Sequence, residues 1–168
     1  MSWIKRYLDR SQNILDLGCG PCWVTSILRN EGFNVTPVDV EDLSIMEGIE
    51  PIVYDGKELP FGDNEFDITL LLTVLHHVRE PVSLLREVKR VSNDVVIIED
   101  VHSNAVMKQI IKFLDSAANL EFRGPPHNNH TDNEWRSIFQ KEGFSIVDHR
   151  SHRRAGLFRQ VVYHIKRT

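Results

Sequence analysis

Cysteine is scarce: two in 168 residues, three positions apart, too few and too close for the disulfide framework of a small secreted domain. Long apolar runs are missing, none approaching the roughly 20 residues of a membrane span. The segment from Met1 to Ser11 carries Lys5, Arg6, Asp9 and Arg10 and lacks the apolar stretch of a secretory signal, so the expected location is cytoplasmic. Excess positive charge is missing too, since the net charge is −4, which argues against generic nucleic-acid binding. There is no internal repeat, linker or low-complexity stretch. What remains, with 41% hydrophobic residues, is one domain spanning 1–168 with room for a core. The charge is uneven, however: His149 to Thr168 holds six Lys/Arg and no Asp/Glu. That run is either a solvated strand pair or a basic rim for an anionic ligand.

The most informative stretch is Ile14-Leu15-Asp16-Leu17-Gly18-Cys19-Gly20-Pro21-Cys22. An apolar run ends in an acid and two glycines, and a helical pattern (Val24, Ile27, Leu28) opens at once. This is a strand, a tight turn and a helix N-terminus, where open α/β sheets hold nucleotide-like ligands. Gly18 and Gly20 let backbone approach a ligand with no Cβ in the way. A dinucleotide needs a third glycine in G-x-G-x-x-G, and Trp23 stands there. A redox reading is also open, because Cys19-Gly20-Pro21-Cys22 is a C-x-x-C before a helix, the thioredoxin tetrapeptide.

Along the chain, the pattern predicts a short amphipathic helix near Trp3–Arg10, within a 1–12 leader, then a strand at Asn13–Leu17. A helix at Trp23–Asn30 stops at Gly32, and strands follow at Asn34–Val40 and Pro51–Tyr54. Phe66–Leu72 reads as a strand buried on both faces. Glu80-Pro81 opens a helix, and Val95–Val101 is the next strand. Asn104–Ala118 is amphipathic and Leu120–His130 is a Pro-rich loop, together a lid-like insertion over about 102–130. Thr131 with Glu134 is a capping-box pair for a helix ending at Gly143. Phe144–Ser151 and Gln160–Lys166 close the chain with no helix between them, so the last strand is expected to run antiparallel, between its neighbours. The fold class is α/β: a Rossmann-like, doubly wound, mostly parallel seven-stranded sheet with an antiparallel last strand.

Four matches, in order, make the chain resemble the class I S-adenosylmethionine-dependent methyltransferases of the small-molecule branch. They are the loop Asp16–Cys22, the strand-end acid in Val38-Asp39-Val40, Asp55-Gly56 followed by Leu59-Pro60-Phe61 and Asp63–Asp67, and Val74-Leu75-His76-His77-Val78. The resemblance implies S-adenosyl-L-methionine as cofactor and transfer of its methyl group to a small-molecule acceptor. It implies that Asp16 orients the loop and meets the cofactor's amino group, with Gly18, Cys19 and Gly20 lining it. Asp39, with Val40 beside it, would accept the ribose hydroxyls. Asp55, before Gly56, would accept from the adenine amino group, although Asp-Gly is also an ordinary turn. Leu71, Leu72 and Thr73 would lie beside the methyl sulfonium. His76 and His77 are the candidate bases, since an imidazole titrates near neutrality, and the alternative for either is a packing role.

Two departures stand out. Cys22 replaces the last glycine of the family's loop, placing a Cβ and sulfur where backbone passes the cofactor. Little chain precedes the first strand, although Tyr7 is within reach of the site. The cover is therefore expected from the 102–130 segment, from a homodimer or from a partner subunit. Arg123, His127 and His130 are the polar candidates for the acceptor, with Phe113, Phe122 and Trp135 as aromatic ones. Arg123, Arg153 and Arg154 would favour an anionic acceptor. The chain lacks the Asp/Asn-Pro-Pro-aromatic motif of amino-methylating enzymes, and Pro21-Cys22 is misplaced for a cytosine-C5 nucleophile. His127 and His130 lack a fitting third ligand, so no metal is expected. The alternatives to an enzyme of this family are a non-catalytic cofactor-binding partner and a thiol–disulfide oxidoreductase using Cys19 and Cys22.

Overall fold

The computed structural model describes residues 2–101, 130–154 and 158–168, without the side chains of Ser2, Arg153, Arg154 and Phe158. In chain order the elements are α1 (Ser2–Lys5), β1 (Asn13–Leu17), α2 (Trp23–Asn30), β2 (Asn34–Asp39), β3 (Ile52–Val53), β4 (Phe66–Leu72) and α3 (Pro81–Val91). There follow β5 (Ser92–Val101), α4 (Asp132–Lys141), β6 (Phe144–Arg154) and β7 (Phe158–Arg167). The strands form one sheet in the order β3-β2-β1-β4-β5-β7-β6. All neighbours from β3 to β5 run parallel, while β7 lies antiparallel to both β5 and β6. The fold class and the inserted last strand are those expected from the pattern.

Alternation along each strand sends side chains to opposite faces, and each face is covered. Ile14, Ile68, Leu70, Val96 and Val162 pack with Leu28 of α2 and Ile4 of α1. Leu15, Leu71, Val95, Ile97 and Tyr163 pack on the other face with Leu85 and Val88 of α3 and Trp135 and Phe139 of α4. The sheet order reverses between β1 and β4, so their carboxyl ends diverge and leave a crevice.

The leader helix is shorter than its pattern suggests. Only Ser2–Lys5 is helical, because Asp9 accepts from the Ser11 N–H and hydroxyl and turns the chain toward β1. The third strand contracts from Pro51–Tyr54 to two exposed residues, Ile52 and Val53, paired only with Val38 and Asp39. β5 begins three residues earlier than expected, directly after α3, with Ser92 opposite Phe66. The Asn104–Ala118 helix and the Pro-rich loop lie outside the described residues, apart from His130.

Candidate active site

β1 ends in a loop held by its neighbour β2. The N–H groups of Gly18 and Cys19 both donate to the carbonyl of Val38, at 2.8 and 3.2 Å. The N–H of Gly20 donates to Asp39 Oδ2 at 2.7 Å, and that of Val40 to Asp39 Oδ1 at 2.7 Å. The Asp39 carboxylate is thereby fixed by one bond at each oxygen and keeps a lone pair on each for a further donor. Gly18 adopts φ +75, and a Cβ there would lie 2.6 Å from Val74 Cγ2, so the β4–α3 loop closes tightly on a bare backbone.

Between these loops lies a cavity of about 310 Å³. Its polar features come from Gly18, Asp39, Gly56, Thr73 and His77, and its apolar walls from Leu17, Val40, Tyr54, Val74, Val78 and Leu84. Apolar walls around a few placed polar groups are the usual make-up of a small-molecule site. Thr73 is held at φ +62, an uncommon backbone for a β-branched residue, with its N–H on the Ile98 carbonyl at 2.7 Å and its hydroxyl on that of Leu72 at 2.6 Å. The Tyr54 phenol is raised by burial first and by Asp39 second.

Several residues expected at the cofactor are turned elsewhere. Asp16 is 2% exposed and faces α2, accepting from the Thr25 hydroxyl at 2.5 Å. Burial raises its carboxyl to about 6 despite that bond. It sits on the opposite face from Leu15 and Leu17, so it reaches the helix that follows the loop and not the cavity. Asp55 is exposed and accepts from the N–H groups of Lys57 and Glu58, at 2.9 and 3.3 Å, which lower its pKa. Here the Asp-Gly turn reading describes the geometry. Leu71 is buried in the core, and Leu72 packs on the α1–α2 face. Cys19 and Gly20 shape the loop without lining the cavity. Tyr7 donates to Asp148 Oδ2 at 2.8 Å. Its tie to β6 is a contact that no local pattern announces.

Of the two histidines, His77 lines the cavity and His76 is buried against β5. Glu99, wholly buried, joins its Oε2 to His76 Nδ1 at 2.6 Å and takes the Leu75 N–H on Oε1 at 2.7 Å. Burial raises the Glu99 carboxyl, and His76 opposes that rise. The two imidazoles lie 4.0 Å apart between centroids. Glu99 escapes a sequence reading because its partners lie in the β4–α3 loop; an acid set directly after the apolar run Val95–Ile98 is the signal it leaves.

The His130 ring meets Trp135 edge-on at 4.6 Å, and its Nδ1 lies 3.7 Å from Glu134. Trp135 is fully buried, and its indole N–H has no hydrogen-bond partner, the one such side-chain atom among the described residues. Arg123, His127, Phe113 and Phe122 lie outside the described residues, and Arg153 and Arg154 end β6. Cys19 and Cys22 hold their sulfurs 3.5 Å apart, both buried. Burial, then the Cys22 thiol, pushes the Cys19 thiol up, the opposite of the lowered pKa that a catalytic C-x-x-C requires. Among the described residues no cluster suits a metal ion, and no helix is long and apolar enough to cross a membrane.

A seven-stranded sheet of this order, with a glycine loop after β1 and an acid ending β2, defines the class I S-adenosylmethionine-dependent methyltransferase fold. The chain belongs to the family described as Methyltransferase domain, whose profile matches residues 15–98. It is similar to ajmaline N-methyltransferase of Rauvolfia serpentina, 27% identical over 109 residues that cover 55% of this chain and 38% of that protein. The chain therefore spans well under half of this curated relative. Among solved structures it is similar to an S-adenosylmethionine-dependent methyltransferase of Methanosarcina mazei, with TM-score 0.73 and 21% identity over 99% of this chain and 98% of that one. It is also similar to magnesium protoporphyrin IX methyltransferase of Synechocystis PCC 6803 with bound S-adenosylhomocysteine, with TM-score 0.70 and 17% identity over 99% and 80%.

Proposed function

We propose that the protein binds S-adenosylmethionine in the crevice between β1 and β4 and directs its methyl group to a small-molecule acceptor. The observation that carries this reading is the Asp39 carboxylate, fixed by Gly20 and Val40 at the mouth of a largely apolar cavity beside Gly18. The cofactor, when bound, supplies an electrophilic methyl group on a sulfonium that leaves readily. The work left to the protein is to align the reactants and keep water out. Asp39 would take the ribose hydroxyls, Tyr54, Val40 and Gly56 would flank the adenine, and Thr73, Val74 and His77 would face the reacting end. Where the acceptor must lose a proton, His77 is the cavity's imidazole, and His76 with Glu99 sits directly behind it.

The acceptor side rests on the sequence candidates Arg123, His127 and His130. These groups suit an oxygen-bearing, anionic acceptor, with the 102–130 segment, a second copy or a partner subunit as cover. Similarity to a relative named for N-methylation of ajmaline supports a small-molecule acceptor, and a neighbour holding S-adenosylhomocysteine supports the cofactor.

Calorimetry with S-adenosylhomocysteine tests the cofactor site. Saturable binding is expected, and Asp39→Ala should weaken it by about 2–4 kcal/mol, the loss of charge-assisted hydrogen bonds in a sheltered site. Absence of binding by the intact protein removes the reading. If binding holds, release of labelled methyl groups across phenols, amines and small acids separates an enzyme from a non-catalytic cofactor-binding protein.

A further inference from the structure

Cys22 occupies the left-handed region, φ +61, at the N-cap of α2, yet makes no side-chain capping bond. For a residue with a Cβ that conformation is strained, and glycine would adopt it freely. The side chain is fully buried and is directed at Cys19, sulfur to sulfur at 3.5 Å, with the Cys22 N–H on the Cys19 carbonyl at 3.0 Å. This backbone brings two thiols together inside the loop that carries Gly18 and Gly20. Backbone strain of this kind clusters at functional sites.

We propose that Cys19 and Cys22 form a modification site: a dithiol that small-molecule disulfides of the glutathione type oxidise to an internal disulfide, weakening cofactor binding. The inference rests on the cofactor reading above. Cys19, 9% exposed against 0% for Cys22, is the entry point. Its thiolate attacks one sulfur of the small disulfide and expels one thiolate, leaving a mixed disulfide. The Cys22 thiol then loses its proton, attacks Cys19 Sγ and expels the second thiolate. Two electrons pass from the protein to the small disulfide, which leaves as two thiols.

Bond formation must draw the sulfurs from 3.5 Å to about 2.05 Å, a contraction of about 1.5 Å across a four-residue loop. That loop is tied on three sides. Cys19 N–H is on Val38, Gly20 N–H is on Asp39, and the Pro21 carbonyl accepts from Ile45 N–H at 3.4 Å. The contraction therefore pulls on the bond that fixes Asp39. Burial keeps the Cys19 thiol protonated at neutral pH, so the exchange is slow there and quickens as pH rises. Linkage makes the effect reciprocal: bound cofactor must favour the dithiol, and a tenfold affinity difference corresponds to about 30 mV in the pair's potential.

The experiment equilibrates the reduced protein with oxidised glutathione, measures intact mass and maps the linked peptide. Binding of S-adenosylhomocysteine to both forms is then measured by calorimetry. Expected are a loss of two hydrogens, a Cys19–Cys22 link, at least tenfold weaker binding, and full recovery with dithiothreitol. Cys22→Gly, which suits the φ +61 backbone, should stop at the Cys19 mixed disulfide and form no internal link. Failure to form the link, or equal affinity of both forms, overturns the inference and leaves the cofactor reading standing. If the reduced protein itself does not bind, the cofactor reading falls and takes the inference with it.

Discussion

Gly18 and Gly20 share a left-handed backbone but differ in what surrounds them. A Cβ at Gly18 would strike the Val74 side chain at 2.6 Å, whereas nothing lies within 4 Å of one at Gly20. Gly20→Ala is therefore expected to cost only the backbone penalty, about 1–2 kcal/mol. Gly18→Ala should cost about 1–3 kcal/mol more, from overpacking against the β4–α3 loop, and should also disrupt the cavity wall. Urea unfolding of the two variants checks the ranking, and equal losses would mean that Val74 yields freely. Asp16 gives a second test at this scale. Its carboxyl is raised from 3.8 to about 6 by burial, so the folded state holds the proton more tightly than the unfolded chain. Its contribution is then most favourable below about pH 4 and is lost as pH rises toward 6, by about 3 kcal/mol in all. Asp16→Asn keeps an oxygen for the Thr25 hydroxyl and removes the titration. The stability of the variant relative to the parent should rise between pH 4 and 7 and then level off. Denaturation at pH 4.5 and 7.5 gives the sign directly.

The elements divide into those announced by their own residues and those set by distant partners. The α4 helix belongs to the first group. Thr131 Oγ1 accepts from Glu134 N–H at 3.3 Å while Glu134 Oε2 accepts from Thr131 N–H at 2.7 Å, as the Thr-x-x-Glu pattern indicates. Thr131→Ala should cost about 1 kcal/mol, measurable as a lower urea midpoint at unchanged slope. Trp135 and Phe139, which α4 carries into the core, make the loss global and not local fraying. α2, α3 and β4 were legible for the same reason, since their apolar spacing is local and matches one face or two. β3 was less so, because its two exposed residues are a strand only through pairing with Val38 and Asp39. Of the cavity's lining, Gly18 was named from the strand–turn–helix pattern, and Asp39, Val40, Gly56, Thr73 and His77 through the family resemblance. Tyr54 and Leu84 were not, being brought to the cavity by the crossing of chain segments 30 residues apart. Glu99 was hidden because its partners, His76 and Leu75, lie in another loop. Removing half of that pair leaves a buried group without its partner, so Glu99→Ala should cost about 3–5 kcal/mol, read as a lowered urea midpoint.

On the scale of the whole molecule, both helical layers share one sheet, and the proposed cofactor site spans the ends of β1, β2 and β4 at its centre. A ligand bound there should stabilise the fold as a unit. With an excess of S-adenosylhomocysteine one hundred times its calorimetric Kd, linkage gives about 2.7 kcal/mol. For a chain of this size each kcal/mol moves the midpoint by about 2–4 °C, so a rise of about 5–10 °C is expected. Asp39→Ala at the same absolute ligand concentration should lose most of that rise, because its site is no longer saturated. The comparison must be made with each protein's own ligand-free midpoint, since Asp39 also anchors Gly20 and Val40 in the absence of ligand. A shift that survives in the variant would place the ligand elsewhere on the molecule. A shift in the parent alone ties the binding energy to the carboxylate at the end of β2.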